Sequence, residues 1–195
     1  SRYVATTGTD TSNNCYSASN PCKTINYALA QYPTNSNTII YAAEGVYTGT
    51  SSNPVVYLDK TVKLSGGWSS NFATQTGYST IDGQSTRQGL YTGSSSSGGV
   101  NITIDNFIIQ NGKNSDTSTG NGGGGVVAGS GVNLIINNSI IKNNNAGGYG
   151  GGIHVKGDSL TLNNSTIENN VAGLGGAGIS TYLETTLNIN NSTIT

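Results

Sequence analysis

Charge is scarce in this sequence, and its scarcity excludes several kinds of partner. Only 9% of the 195 residues are charged, and the formal net charge is −1. A surface that binds nucleic acid or an anionic membrane needs clustered lysine and arginine. No apolar run approaches the roughly 20 residues that span a bilayer. We therefore expect neither nucleic-acid binding nor membrane insertion.

Methionine is absent, and histidine occurs once. The chain opens at Ser1 and continues into a polar stretch without an apolar signal segment, so we expect a mature chain from which a targeting peptide has been removed. One histidine and two cysteines do not complete a metal site, and we expect no metal and no cofactor.

The two cysteines, Cys15 and Cys22, enclose a short segment that contains the turn-forming pair Asn20-Pro21. This spacing favours a small disulfide-closed loop, with two free thiols as the alternative. A disulfide indicates an oxidising compartment, so we expect a secreted or cell-surface protein.

Proline is rare, with three residues, whereas glycine contributes 29. Such a polar, glycine-rich chain is compatible with disorder. Disordered chains, however, usually carry more charge and fewer β-branched residues. Here isoleucine, valine and threonine recur in alternating runs, which indicates β-strands.

The second half of the chain contains an internal repeat. It reads LIINNSIIKNN at 134–144, LTLNNSTIENN at 160–170 and LNINNSTIT at 187–195. Asn138, Asn164 and Asn191 hold the same place, 26 and 27 residues apart. A repeat this short is one unit of a stack rather than a domain. An earlier copy, GVNITIDNFIIQNG at 99–112, aligns Ile102 with Leu160.

Each copy continues into a glycine run and a third strand, and Gly125, Gly152 and Gly178 keep the same spacing. Three strands and three turns in 26–27 residues are typical of one coil of a parallel β-helix, with coils about 4.8 Å apart. Leucine and isoleucine ladders would fill the interior, and asparagine tolerates the left-handed backbone of the corners. The sequence predicts an all-β, right-handed, single-stranded parallel β-helix of about six coils. An antiparallel sandwich is the alternative.

A short helix interrupts the β pattern in TINYALAQY at 24–32. Thr24 can cap its start and Pro33 can end it. One helical face is formed by Ile25, Ala28, Leu29 and Tyr32. We expect this helix to cover the first coil. The single domain then has two parts, an N-terminal strand, disulfide loop and capping helix at 1–35 and the coils at 36–195.

The N-terminal stretch YVATTGTDTSNNCYSASNPCKTINYALAQ, with TIIYAAEGVYTG and the later NNST…NN…GGGI coils, resembles secreted and surface β-helix proteins of bacteria and archaea. These include polymorphic outer-membrane-protein repeats, the choice-of-anchor group and, more distantly, the pectate-lyase-like superfamily. The resemblance extends over nearly the whole chain and implies the fold and export. It leaves activity open, because such proteins include adhesins, anchored and sheath-like proteins and polysaccharide-cleaving enzymes.

For an enzyme, the resemblance to that superfamily would imply clustered carboxylates, often with calcium. This sequence does not contain such a cluster. Its six aspartates and three glutamates are scattered. Only Asp82 and Asp105 lie in strand–turn contexts, and Asp105 aligns with uncharged Asn137, Asn163 and Asn190. No carboxylate pair has the spacing of a glycosidase. We expect no catalytic residues and a protein that is not an enzyme.

His154, the single histidine, lies between Ile153 and Val155, which we expect to point inward. Alternation then predicts a solvent-facing His154. Arg87 and Lys63, the remaining candidates for a catalytic base, have no evident carboxylate partner in the sequence.

Six N-x-S/T sequons are glycan acceptors in an exported protein that meets the modifying machinery. They are Asn101, Asn137, Asn163, Asn164, Asn190 and Asn191. The alternative is structural, since Asn-Asn-Ser/Thr also suits a β-helix corner.

The C-terminal segment, Leu187–Thr195, stops in mid-coil. An uncovered coil exposes unpaired backbone groups over an apolar cross-section and invites another chain. Either the sequence is a fragment of a longer β-helix, or a neighbour's Ser1–Gly8 completes the coil head-to-tail, which generates a filament. The leading prediction is a non-catalytic extracellular structural protein that self-assembles into a filament or sheath.

Two other functions stay open. The first is an adhesin or carbohydrate-binding module, with Tyr41, Tyr47, Tyr57 and Trp68 as candidates for stacking on sugar rings. The second, less favoured, is a polysaccharide lyase or hydrolase. Ice binding is weaker still, because no regular T-x-T ladder runs through the coils.

Overall fold

A computed structural model describes residues 1–31, 38–50, 54–93, 99–118, 122–182 and 184–195. Tyr32 and Pro33, at the end of the predicted helix, lie outside the described residues. In chain order the elements are β1 (Arg2–Val4), α1 (Ile25–Ala30), β2 (Thr38–Ala43), β3 (Gly45–Thr48), β4 (Val56–Leu58), β5 (Val62–Trp68), β6 (Ser79–Asp82), β7 (Leu90–Thr92), β8 (Val100–Asp105), β9 (Phe107–Gln110), β10 (Lys113–Asn114), β11 (Val126–Ala128), β12 (Val132–Asn137), β13 (Ile140–Lys142), β14 (Asn145–Ala146), β15 (Ile153–Val155), β16 (Ser159–Asn163), β17 (Thr166–Glu168), β18 (Val171–Ala172), β19 (Ile179–Thr181), β20 (Thr186–Asn190) and β21 (Thr193–Ile194).

These strands form four parallel sheets. Sheet 1 has the order β1-β2-β5-β8-β12-β16-β20, and sheet 2 has the order β21-β17-β13-β9-β6-β3. Sheet 3 has the order β19-β15-β11-β7-β4, and a short fourth sheet joins β10, β14 and β18. Strands of one sheet come from successive turns of the chain, which confirms the parallel β-helix against the antiparallel sandwich. The chain makes about five turns rather than six, and the right-handed winding stays a prediction.

The turns differ in length more than the repeat suggests. Equivalent asparagines are 26 residues apart between β12 and β16 and 27 between β16 and β20. The separation is 32 residues between β8 and β12. Residues 40 apart face each other between β5 and β8. The extra residues lie in loops such as 69–78, while Val62, Ile102 and Leu134 keep their register. A coil can therefore grow at its corners without changing its cross-section.

The interior consists of aliphatic ladders in the predicted register. Ile102, Leu134 and Leu160 stack in one column of sheet 1 and are fully buried. A second column of the sheet contains Ile104, Ile136 and Leu162. Burying one such side chain contributes about 1.5–3 kcal/mol, so the ladders are the main source of stability.

Asparagine occupies the corners, as predicted from its tolerance of left-handed backbone. After sheet 1, φ is +60° at Asn106 and +47° to +49° at Asn138, Asn164 and Asn191. Beyond these corners, Asn144 and Asn170 are buried and bind adjacent turns. The Asn144 Nδ2 donates to the carbonyl oxygen of Ile109 at 3.1 Å and to Asn170 Oδ1 at 3.0 Å.

The glycine columns permit a close approach of successive turns. A Cβ placed on Gly125 would lie 2.6 Å from the carbonyl oxygen of Gly152. A Cβ on Gly152 would lie equally close, 2.6 Å, to the carbonyl oxygen of Gly178. No side chain fits at these distances, so the repeated glycine is a requirement of the stacking.

The N-terminal end is covered by the predicted helix. Thr24 caps α1, because its Oγ1 accepts a hydrogen bond from the amide of Tyr27 at 3.2 Å. The buried side of α1 consists of Ile25, Ala28 and Leu29, and the helix contacts β1, β2 and β4.

The predicted disulfide joins Cys15 to Cys22 beside α1. Tyr3 donates its amide to the Cys15 carbonyl oxygen at 2.9 Å and accepts from the Cys22 amide at 2.9 Å. The disulfide loop therefore binds the edge of β1 that faces away from β2. A disulfide is compatible with an extracellular location.

Candidate functional site

The last coil presents an apolar surface that no other described element covers. Leu187, Ile189 and Ile194 continue the columns of Leu160, Leu162 and Ile167. Those three predecessors are fully buried, whereas Leu187, Ile189 and Ile194 are 41%, 42% and 43% exposed. We call this surface, formed by Leu187, Ile189 and Ile194, the C-terminal face.

The backbone around the C-terminal face is bonded on one side only. Thr186 donates its amide to the Asp158 carbonyl oxygen at 3.0 Å, and Thr193 donates to that of Ser165 at 2.9 Å. Both bonds lead to the preceding turn. In the described part of the chain no strand pairs with the outer edge of β20. Such an edge presents unpaired N–H and C=O groups to any strand that approaches.

An asparagine ladder reaches the rim of the C-terminal face. Asn163 donates its Nδ2 to Asn137 Oδ1 at 2.8 Å, and Asn190 donates its Nδ2 to Asn163 Oδ1 at 2.9 Å. Each amide donates towards the preceding turn. The Oδ1 of Asn190, with no donor from the described residues, is therefore oriented as the acceptor for one further rung.

The opposite end of the stack has a different chemistry. In sheet 1, the column that ends at Ile189 begins at Arg2 of β1, which pairs with Ile40 of β2. The Arg2 guanidinium lies 3.7 Å from the centre of the Tyr16 ring and donates to the Gln31 carbonyl oxygen at 2.7 Å. This end therefore lacks an open aliphatic rung that could match the C-terminal face.

The segment Ser1–Gly8, predicted to complete a neighbour's last coil, lies inside its own fold. β1 pairs with β2 on one edge and with the disulfide loop on the other, and Ala5 donates its amide to the Cys22 carbonyl oxygen at 2.9 Å. Head-to-tail completion through this segment would require the loss of these bonds.

The sequons lie mainly along one edge of the stack. Asn137, Asn163 and Asn190 occupy one outward column of sheet 1. Asn164 and Asn191 lie at the adjacent corners with positive φ. Asn101 lies in β8, and its Oδ1 accepts from Asn133 at 3.2 Å. Glycosylation of any of them stays a prediction.

The two aspartates in strand–turn contexts make structural contacts. Asp82 Oδ2 accepts from Gln110 at 2.9 Å and from Asn111 at 3.0 Å. Asp105 lies 3.4 Å from the Lys63 ammonium. Lys63 thus has the carboxylate partner that the sequence did not reveal, because the two residues meet only when their turns stack.

The remaining candidate base is also held by the fold. Arg87 donates to the carbonyl oxygen of Gly49 and to Gln84 Oε1.

Among the residues that the structure describes, there is no group of three or more histidine, cysteine, aspartate or glutamate side chains that could hold a metal ion.

The prediction of a solvent-facing His154 is wrong. His154 is only 2% exposed, in register with Val127 and Ser180 on sheet 3. A glycine-rich segment covers its ring, since a Cβ on Gly122 would lie 2.8 Å from His154 Cγ. The strand alternation was correct, but the outer side of sheet 3 is covered at His154, although it is exposed at Tyr57 in the same column.

Three of the four aromatic candidates have structural roles. Tyr47 is buried, and its hydroxyl donates towards the carbonyl oxygens of Val4 and Ala43. The Tyr41 ring lies 5.5 Å from that of Tyr3 and 5.1 Å from that of Trp68. Each of these rings is at least partly buried.

Tyr57 remains exposed on the outside of sheet 3. Its ring lies parallel to that of Tyr91, with centroids 5.5 Å apart and planes inclined by 2°. Sequence reasoning missed Tyr91. Its equivalent position, directly after the buried Leu90 as Tyr57 follows Val56, was the available signal.

The single described helix, α1, has six residues, and none of the described residues form a helix long and apolar enough to cross a membrane.

Comparison with known proteins finds no match: no family model, no curated protein and no solved structure is significantly similar to this chain. Its fold therefore defines the class. The chain is a parallel β-helix protein, and the resemblance to surface and pectate-lyase-like families stays a prediction.

Proposed function

We propose that this is an exported, non-catalytic structural β-helix whose C-terminal face is covered by the same face of a second copy. The observation that supports this function most strongly is the exposure of Leu187, Ile189 and Ile194 in columns that are otherwise fully buried. An aliphatic surface beside an open backbone edge is suited to pairing with another β-strand.

The chemistry of the two ends favours pairing of like faces. The C-terminal face needs an uncovered aliphatic rung as its complement. The N-terminal end carries α1, the disulfide loop and Arg2 instead. Among the surfaces that the structure describes, the best match is therefore the C-terminal face of another copy, and such a contact is isologous and closed.

The proposed geometry joins the two β20 strands antiparallel. With the two-fold axis at Asn188, Leu187 of one copy lies opposite Ile189 of the other, and the apolar sides of both strands coincide. The outer N–H and C=O groups of β20 then obtain partners. The low charge of the chain, −1 overall, adds little repulsion.

The proposal is tested by substituting one residue on the face and a matched residue elsewhere. Ile189→Asp places a charge in the contact, whereas Ile135→Asp places it on the outer side of β12, where Ile135 is 38% exposed. We expect light scattering during size-exclusion chromatography to give a dimer for the wild type and for Ile135→Asp, and a monomer for Ile189→Asp.

A wild-type protein that stays monomeric at high concentration contradicts the proposal. Polymers that grow with concentration also contradict it, because a closed two-fold contact stops at two copies. That second result would favour the head-to-tail filament.

A further inference from the structure

A groove of about 1170 Å³ lies between α1 and the neighbouring strands. Its walls include Asn26 and Leu29 of α1, Val46 and Thr48 of β3, Tyr57 of β4 and Tyr91 of β7. The groove lies at the helix-covered end, where β3 and β4 are the end strands of sheets 2 and 3, and the opposite end strands of these sheets are β21 and β19. It is therefore separate from the C-terminal face.

One wall of the groove offers an aromatic ring with a free face. β4 is the last strand in the order of sheet 3, so Tyr57 has a ring from its own sheet, Tyr91, on one side only. Tyr57 is 46% exposed. An aromatic side chain offers a large apolar surface, and tyrosine adds a polar hydroxyl at its tip.

The tyrosine wall is held in place before any ligand arrives. Asn26 Oδ1 accepts the amide hydrogen bond of Tyr57 at 2.9 Å, and Asn26 Nδ2 donates to the Val55 carbonyl oxygen at 3.1 Å. One side chain of α1 thus fixes β4. A wall ordered in advance reduces the entropy lost on binding.

The electrostatics of the groove favour a neutral ligand. Asp10 and Asp59 equal Lys23 and Lys60 in number, so the described residues of the lining carry no net charge. Burial, with contributions from Asp59 and Tyr91, raises the pKa of Tyr57 above its usual value. Like any tyrosine near neutral pH, Tyr57 carries a protonated hydroxyl that can both donate and accept.

We propose that this groove binds a neutral saccharide, with one sugar ring stacked on the open face of Tyr57. A sugar ring has the required amphipathic character, because its C–H face contacts an aromatic ring while its hydroxyls reach polar groups. Thr48, Thr50 and Lys23 supply such groups in the lining. Phosphorylated and metal-ion ligands are disfavoured by the balanced charge.

The test is a calorimetric titration of the 195-residue protein with cellohexaose, xylohexaose, mannohexaose and chitohexaose. Hexagalacturonate and inorganic phosphate serve as charged comparisons. We expect at least one neutral oligosaccharide to bind, and Tyr57→Ala to weaken that binding about tenfold. Tyr57→Phe should retain most of it, because the stacking ring remains.

Tyr78→Ala is the matched control, since Tyr78 is 42% exposed and does not line the groove. It should bind like the wild type, and near-ultraviolet circular dichroism should show that each variant is folded. Absence of binding by all four neutral oligosaccharides overturns the inference, as does equal binding by wild type and Tyr57→Ala. Neither result alters the expected dimer, because the groove and the C-terminal face share no residue.

Discussion

Leu134 and Leu187 provide a matched test of how the stack is stabilised. Both are leucines in one column of sheet 1, separated by Leu160. Leu134 has a rung on each side and is fully buried, whereas Leu187 has a rung on one side and is 41% exposed. Replacing each leucine with alanine therefore compares a position covered on both sides with a position covered on one side, while the residue type and the column stay the same.

The structure gives different magnitudes for the two variants. Leu134→Ala leaves a cavity between two fixed rungs, and such substitutions lower the free energy of unfolding by about 2–5 kcal/mol. Leu187→Ala in an isolated copy removes a side chain that is only partly buried and leaves an open notch that water fills. Its loss should be about 1 kcal/mol.

Urea unfolding at low protein concentration measures both values. A proposed dimer adds a second expectation, because burial by the other copy makes the effect of Leu187→Ala grow as protein concentration rises. The effect of Leu134→Ala should not change with concentration. Equal losses for the two variants at low concentration would refute the view that the last rung is uncovered.

Three further predictions concern the rest of the fold. Replacing Cys15 and Cys22 with serine opens a loop of sequence separation 7, so the free energy of unfolding should fall by about 2.5 kcal/mol, and reductant should affect only the wild type in urea unfolding. Asn144→Ala removes the donor to the Ile109 carbonyl oxygen and should lower the free energy of unfolding by about 1–3 kcal/mol, whereas Asn145→Ala at the exposed neighbouring position, assayed in parallel, should have little effect. Burial raises the pKa of Tyr47 well above its usual 10.0, so this tyrosine ionises at lower pH in the unfolded chain than in the folded protein. The stability of the wild type should therefore decline as pH rises through 10. In thermal unfolding between pH 9 and pH 11, Tyr47→Phe should show a smaller decline.

The repeat in the sequence was sufficient to predict the β-helix and its register. Asn138, Asn164 and Asn191 revealed the coil length because every turn must match the one beside it, and the glycine spacing carried the same information. The capping role of Thr24 and the apolar side of α1 could be predicted because capping and helical periodicity are local features of the sequence. The disulfide was predicted from the short spacing between Cys15 and Cys22.

Contacts that depend on the paths of the loops could not be predicted from the sequence. Lys63 and Asp105 meet only because the turn between them carries a long insertion that leaves the cross-section intact. His154 was placed on the correct side of its strand, yet its burial depends on a glycine-rich segment folding over sheet 3. The pairing of Tyr57 with Tyr91 was missed although each tyrosine follows a buried aliphatic residue, because turns of unequal length hide their equivalence.

Hydrogen exchange of β20, measured by mass spectrometry at several protein concentrations, tests most directly whether a second copy covers the C-terminal face. We predict that amides of Thr186–Asn190 gain protection as the dimer forms, while those of Arg2–Val4 stay unchanged. Unchanged exchange in β20 throughout the concentration series, or a gain of protection in β1 with it, would contradict the pairing of like faces.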